Sequence, residues 1–326
     1  MVVLSCPPMA DRVAPDRTVA FLGPSGTFTE EALRTQPDLA AARPLPQRSF
    51  AQVLAAVEDG RADFGFVAIE NAIEGSVVAA LDQLVFEREL LIVREVLLPI
   101  TQHLLAPPGT ALADVSRVLS FPVATAQCRA WLGANLAGVE ELAATSTSEA
   151  VRIVAEERPA GTAAIGTALA GSLYGLEVLA AGIEDHEHNV TRFVLVAPPA
   201  AGVPAPTGHD KTSIVCFQSA DRPGSLHGIL GQFSARDINL VKLESRPTKQ
   251  ALGEYCFIVD FEGHVADEVV ADCLRDLHVT LRELKFLGSY PAAGESGPRR
   301  RRDARDAWAA ADGWIAGIRR TIHDPA

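Results

Sequence analysis

Short apolar runs alternate with amphipathic stretches along the first two hundred or so residues. "TVAFL" (18–22), "DFGFVAIE" (63–70), "LLIVREVLLPITQHLLA" (90–106), "RVLSF" (117–121), "AAIG" (163–166) and "RFVLVA" (192–197) read as strands, being short and rich in apolar and β-branched residues. Between them, "FAQVLAAVEDG", "VVAALDQLVF", "ATAQCRAWLGAN" and "TSEAVRIVAEE" repeat apolar residues at the spacing of one helix face. Strands alternating with such helices predict an α/β domain with mostly parallel sheet. The last strand comes far from the first in sequence. The pattern therefore predicts two lobes, roughly 18–98 with 189–197 and 99–188, forming one domain over 18–197 with a cleft as its ligand site.

The pattern changes at 198–210, "PPAAGVPAPTGHD", whose prolines and glycines predict a linker. Beyond it, 211–290 reads strand "TSIVCFQSA", helix "SLHGILGQFSARD", strands "NLVKLESRP" and "GEYCFIVDFEG", helix "ADEVVADCLRDLH" and strand "TLRELKFLGSYP". That is the ferredoxin-like βαββαβ order. Residues 291–326 form an Arg-rich tail, predicted helical over "DARDAWAAADGWIAGIRR".

Composition narrows the possibilities. A chain of 326 residues accommodates two or three domains. No apolar run approaches the roughly 20 residues that span a bilayer, and "MVVLSCPP" lacks the basic start of a secretory signal. Met9 would serve equally well as a start. The cysteines, Cys6, Cys128, Cys216, Cys256 and Cys273, are scattered without CxxC spacing. They predict free thiols in a reducing, cytoplasmic compartment. Net charge is −12, and the tail carries seven arginines against five acidic residues, leaving −14 for residues 1–290. Such a balance opposes nucleic-acid binding, so an anionic ligand has to be held by local devices such as a buried arginine or a helix N-terminus.

Several motifs offer such devices, each with a plainer reading beside it. "GPSGTFTEEA" (23–32) lacks the lysine of a Walker loop. Its Thr27 and Glu30 form a capping box, and Gly23, Ser25 and Gly26 either aim N–H groups at an anion or make a tight turn. In "AIENAIEGSVVAALDQL" (68–84), Glu70, Asn71 and Ser76 sit at a strand end and a helix start. Those positions face the crevice of an α/β protein or act as caps, while Glu74 reads as solvated surface. "SFPVATAQC" (120–128) repeats the arrangement with Ser120 and Gln127, and "ATSTSEAV" (144–151) supplies Ser146, Thr147 and a second capping box to Glu149. His186 and His188 in "DHEH" have no third ligand nearby for a metal. "NVTRF" (189–193) places Thr191 and Arg192 where the chain enters a buried strand. A buried arginine needs an anionic partner, and its fork suits a carboxylate.

In this order, "GPSGTFTEEA", "AIENAIEGSV", "AAIGTALAGSLYGL" and "NVTRF", followed by a βαββαβ segment with "ESRP", closely resemble the prephenate dehydratases over residues 18–290. The resemblance implies a two-lobed fold like type II periplasmic binding proteins, with a C-terminal ACT domain. It implies decarboxylating dehydration of prephenate to phenylpyruvate, on the way to phenylalanine, without metal or organic cofactor. Thr191 would donate a proton or hydrogen bond to the leaving hydroxyl, Arg192 would hold a carboxylate, and Phe193 would pack behind the site. Asn189, Glu70, Asn71, Ser76, Ser120, Gln127 and Thr147 would line the cleft. The turn holding Ser25 and Thr27 and the helix starting near Ser146 would take the second carboxylate. Phenylalanine would inhibit from a subunit interface of a homodimer or homotetramer, through Gly224, Ser225, Leu226, Asn239, Glu244, Ser245, Arg246 and Pro247.

Three features depart from the family pattern: Phe121 stands where a histidine is common, Ala72 where a serine is frequent, and the tail with Trp308 and Trp314 has no counterpart. No helical chorismate mutase segment is expected before residue 18. Two rival readings remain, an arogenate dehydratase and a non-catalytic amino-acid sensor. The intact Thr191–Arg192 pair speaks against the second.

Overall fold

The structure, a computed structural model, describes residues 13–218, 222–249, 253–294, 310–311 and 313–320. The first part of the chain forms β1 (Thr18–Leu22), α1 (Phe28–Arg34), α2 (Pro37–Ala41), β2 (Arg43–Gln47), α3 (Phe50–Glu58), β3 (Phe64–Asn71), β4 (Gly75–Ser76) and α4 (Val78–Asp82). A π-helical turn over Gln83–Glu87 leads into β5 (Leu91–Pro99). The second lobe holds β6 (His103–Ala106), β7 (Arg117–Ser120), α5 (Pro122–Ala126), α6 (Arg129–Asn135), β8 (Glu140–Ala143), α7 (Thr147–Glu157), β9 (Thr162–Gly166), α8 (Ala168–Tyr174) and β10 (Glu177–Ala181). The chain then returns to the first lobe as β11 (Val190–Ala197).

The first sheet runs β2-β1-β3-β11-β5, with β4 paired to β3, and the second runs β10-β6-β9-β7-β8. Both are mixed, which corrects the expectation of mostly parallel sheet. β1 pairs in parallel with β2 and β3, whereas β11 runs antiparallel to β3 and β6 antiparallel to β9 and β10. Parallel neighbours need a crossover helix; β11 arrives from the other lobe and is under no such constraint. Each sheet buries its own apolar core. Phe66 of β3 stacks on Phe193 of β11 at 5.4 Å, while Leu104, Val118, Ala163 and Ile165 pack with Leu132 of α6 in the second lobe.

The predicted single helix over 124–135 is broken at Gln127–Cys128 into α5 and α6. The Asp185 carboxylate makes the break stable by accepting from the N–H groups of Ala130 (3.0 Å) and Trp131 (3.3 Å) at the start of α6. It offers that helix end what an N-cap side chain would.

The C-terminal region forms β12 (Asp210–Phe217), α9 (Ser225–Ser234), β13 (Leu240–Pro247), β14 (Tyr255–Glu262), α10 (Glu268–Thr280) and β15 (Glu283–Pro291), in the sheet order β13-β14-β12-β15. This is the predicted βαββαβ arrangement. Phe233 and Phe261 meet at 5.1 Å within its core. The chain divides into two compact units, one of Pro8–Glu89 and Val96–Pro198, the other including Leu90–Glu95 and Pro199–Ala326. Within the second unit Glu95 is buried and accepts from Lys211 Nζ at 2.8 Å and from the Ala293 N–H at 3.1 Å. Nothing in the run 90–106 signalled that its first residues belong with the C-terminal unit.

Cys128, Cys216, Cys256 and Cys273 are buried free thiols. Burial pushes Cys128 and Cys216 up to about 12 and Cys273 up to about 11, so they stay protonated and inert. Of the tail, 310–311 and 313–319 are helical and Trp314 is 66% exposed; Trp308, Cys6 and Met9 lie outside the described residues. No helix among the described residues is long and apolar enough to cross a membrane.

Candidate active site

The pairing of β3 with β11 sets the centre of the site. Thr191 lies opposite Asn71 and Arg192 opposite Glu70, with a register shift between Arg192 and Phe193. Directly opposed side chains in an antiparallel ladder are within reach of each other. Asn71 Nδ2 accordingly donates to Thr191 Oγ1 at 2.9 Å, and Arg192 meets Glu70 at 3.4 Å. A slip of one residue would turn both pairs to the wrong faces. Asn189, Thr191 and Arg192 are all at least nine-tenths buried. They lie inside the strand or against its start, deeper than a strand entrance would suggest.

Asn71 is held from both ends. Its Oδ1 accepts the N–H groups of Ile73 (3.0 Å) and Glu74 (2.9 Å), which can only donate. The nitrogen must therefore face Asn189 Oδ1, at 2.7 Å, and Thr191. Asn189 in turn donates to Gln127 Oε1 at 3.3 Å, and Gln127 Nε2 donates to Glu74 Oε1 at 3.2 Å. Gln127 caps α5 of the second lobe, so this network links the two lobes. The sequence singled out Gln127, Asn189, Asn71 and Thr191; it passed over Glu74. Ser76 is half-buried opposite Glu70 on β4.

Other expected ligand positions have local duties. Ser120 is fully buried and donates to the Ile165 carbonyl at 2.9 Å, which joins β7 to β9. Its hydroxyl proton is thus directed to the neighbouring strand. Thr27 accepts from the Glu30 N–H and donates to the Leu22 carbonyl at 3.1 Å. The capping box is not reciprocal: Glu30 reaches the Gly26 N–H, at 2.7 Å, and Arg34. With the Gly23 N–H on the Gln47 carbonyl, two donors expected to hold an anion at the 23–27 turn are occupied. The carbonyls of this turn face the second lobe. Ser25 accepts from the Ser148 and Tyr174 hydroxyls, and Gly26 from Thr167 at 2.7 Å. Ser146 caps α7 through the Glu149 N–H at 3.0 Å, beside the buried Thr147. Phe193 is 1% exposed and packs on Phe66. Phe121, at the start of α5, is 41% exposed.

The regulatory candidates fall into two groups. β12 and β13 both run antiparallel to β14, with Phe217 and Arg246 each opposite Cys256. Glu244, Ser245, Arg246 and Pro247 thus finish at the sheet end where the chain leaves β12 for Gly224, Ser225 and Leu226. Gly224 caps α9 at φ +88°, a conformation that favours glycine. The Ser225 hydroxyl donates to the Arg222 carbonyl at 2.6 Å, and Leu226 packs on the domain core. Asn239 lies at the other end, before an eight-residue strand that spans roughly 25 Å. One chain does not bring it to the rest.

Residues 19–201 match the family model described as prephenate dehydratase, and residues 212–279 that of the ACT domain. The chain is 44% identical over 286 residues to the prephenate dehydratase of Mycolicibacterium vanbaalenii, covering 84% of this chain and 90% of that protein. It is 41% identical over 289 residues to that of Mycobacterium tuberculosis, covering 86% and 88%. Among solved structures, prephenate dehydratase from Arthrobacter aurescens in complex with L-Phe superposes with a TM-score of 0.82 at 40% identity, over 93% of this chain and 99% of that one. A chain described as a novel type of quorum quenching acylase gives 0.75 at 31% identity, over 87% and 100%. With its paired β3–β11 site and its βαββαβ module, the chain belongs to the prephenate dehydratase family and carries an ACT domain.

Proposed function

We propose that this lyase converts prephenate to phenylpyruvate with Thr191 as the hydroxyl donor and Arg192 as a carboxylate clamp. The observation that carries the reading is the Asn71 Nδ2–H aimed at Thr191 Oγ1. An oxygen that already accepts one hydrogen bond turns its own proton elsewhere, here towards the cleft. As the ring C–O bond lengthens, that proton moves onto the departing oxygen, which leaves as water. The electron pair of the breaking ring–carboxylate bond completes the aromatic ring, and carbon dioxide departs. A proton from solvent restores the threonine. Threonine is a weak acid, so transfer is partial and concerted with loss of carbon dioxide. The ring carboxylate lies on Arg192 and the second carboxylate on the first turn of α7, where Ser146 and Thr147 stand, with Ser25 at the facing turn. Acyl hydrolysis would require a base to take the Thr191 proton, whereas Asn71 donates to that oxygen.

Phenylalanine acts as feedback inhibitor in this reading, bound where Gly224 and Glu244–Pro247 of one copy meet Asn239 of another. The separation of Asn239 from the other residues within one chain supports a site built across a homo-oligomer. The enzyme works in the cytoplasm on prephenate in preference to arogenate.

Phenylpyruvate formation from prephenate and from arogenate, with and without phenylalanine, tests this reading in wild type and in Thr191→Ala and Thr191→Ser. Thr191→Ala is expected to lose about 100-fold or more in kcat, the scale of a proton donor, and Thr191→Ser to keep most of it. Unchanged turnover in Thr191→Ala removes the assigned role, and a large preference for arogenate reassigns the substrate.

A further inference from the structure

Four hydrogen bonds around Asn71 close into a ring in which every donor points the same way. The Glu74 N–H donates to Asn71 Oδ1, Asn71 Nδ2 to Asn189 Oδ1, Asn189 Nδ2 to Gln127 Oε1, and Gln127 Nε2 back to the Glu74 carboxylate. Glu74 thus supplies both the first donor and the last acceptor. Hydrogen bonds in such a chain polarise and strengthen one another. The second Asn71 N–H leaves the ring and ends on Thr191.

A carboxylate only accepts, which fixes the polarity of the ring. Gln127 must turn its nitrogen to Glu74 and its oxygen to Asn189, and Asn189 must then turn its oxygen to Asn71. The backbone N–H groups of Ile73 and Glu74 fix Asn71 in the matching sense. Three of the four members come from the first lobe and its returning strand, while Gln127 comes from α5 of the second. The ring therefore also joins the two walls of the cleft.

We propose that Glu74 is a positioning residue for dehydration. Its carboxylate orients the Gln127 and Asn189 amides to match Asn71, which the backbone fixes, and so holds in place the amide that keeps the Thr191 proton aimed at the substrate. The role rests on the assignment of Thr191 as donor and extends it to an exposed side chain that touches no reacting atom.

The charge-reversed and isosteric variants give opposite results. The Glu74→Gln oxygen still accepts from Gln127, so kcat stays within about twofold of wild type, while Glu74→Ala loses about tenfold, the scale of a small misplacement at a reacting group. An ammonium in Glu74→Lys can only donate and turns the Gln127 amide over. The reversed polarity then meets Asn71, which cannot turn, and the loss matches that of Gln127→Ala. KM moves less than kcat, because Arg192 is untouched. In the double variant Glu74→Ala/Gln127→Ala the loss equals that of Gln127→Ala alone. A Glu74→Lys enzyme with wild-type kcat, a Glu74→Gln enzyme as slow as Glu74→Ala, or losses that multiply in the double variant would each overturn the proposal. The side-chain amide NMR signals of Asn71, Asn189 and Gln127 report the ring without substrate. They shift together in Glu74→Lys and hold in Glu74→Gln, so a failed Thr191 assignment is told apart from a failed ring.

Discussion

Two backbone N–H groups grip the Asn71 oxygen, so the amide nitrogen faces Asn189 and Thr191 by elimination. In the proposed reaction this arrangement makes the Thr191 hydroxyl a directed donor through a neutral amide. An Asn71→Asp enzyme keeps the shape and reverses the sense. One carboxylate oxygen still accepts from Ile73 and Glu74, but the other accepts the Thr191 proton and turns it from the substrate. The single-turnover rate at saturating prephenate is expected to fall by about two orders of magnitude, as when a proton donor is removed, with the melting temperature little changed. A rate within threefold of wild type would show that the direction of the Thr191 proton does not matter. That Thr191 and Asn71 were candidates for the site could be read from residue types in "NVTRF" and "IEN". The direction of the proton could not, because it depends on pairing across 120 residues.

At the scale of elements, the turn between β1 and α1 is where the lobes touch through neutral groups. Gly26 sits at φ +87°, and a Cβ there would lie 2.9 Å from Ala170 and 3.0 Å from Ser148 Oγ. Gly26→Ala is therefore expected to cost about 1–3 kcal/mol, the range for backbone strain at such a position, and to raise KM by prising the turn from α7 and α8. Thermal melts with and without substrate measure both effects; an unchanged melt would mean that the turn moves freely. The central strands and the longer helices were legible because their apolar runs and periodicities are strong. β2 was not, since Pro44 and Pro46 look like loop residues, and only at a sheet edge are they tolerated. Edge strands β8 and β10 carry no core-facing run either, and most of their residues are exposed or half-buried. The break between α5 and α6 depends on Asp185, 55 residues away, which no local pattern contains. The ring that includes Glu74 depends on the same break, and for that reason Glu74 read as plain surface.

Over the whole molecule, the acidic excess and the site stand opposed. The chain carries a formal charge of −12 and takes a doubly negative substrate, so the two repel before they meet. Arg192, the cation paired with Glu70 and proposed here as the carboxylate clamp, is only 7% exposed. Dissolved ions screen charges exposed to solvent over about 10 Å at 0.1 M and reach buried ones much less. Raising ionic strength from about 10 to about 100 mM should therefore weaken the repulsion more than it weakens attraction to the buried Arg192. The association rate constant for prephenate, followed by stopped-flow, is expected to rise with salt. A fall would show that a local positive field governs approach. Because Arg192 is buried, the cleft should fill faster in brine than in dilute buffer, the reverse of steering by a basic funnel.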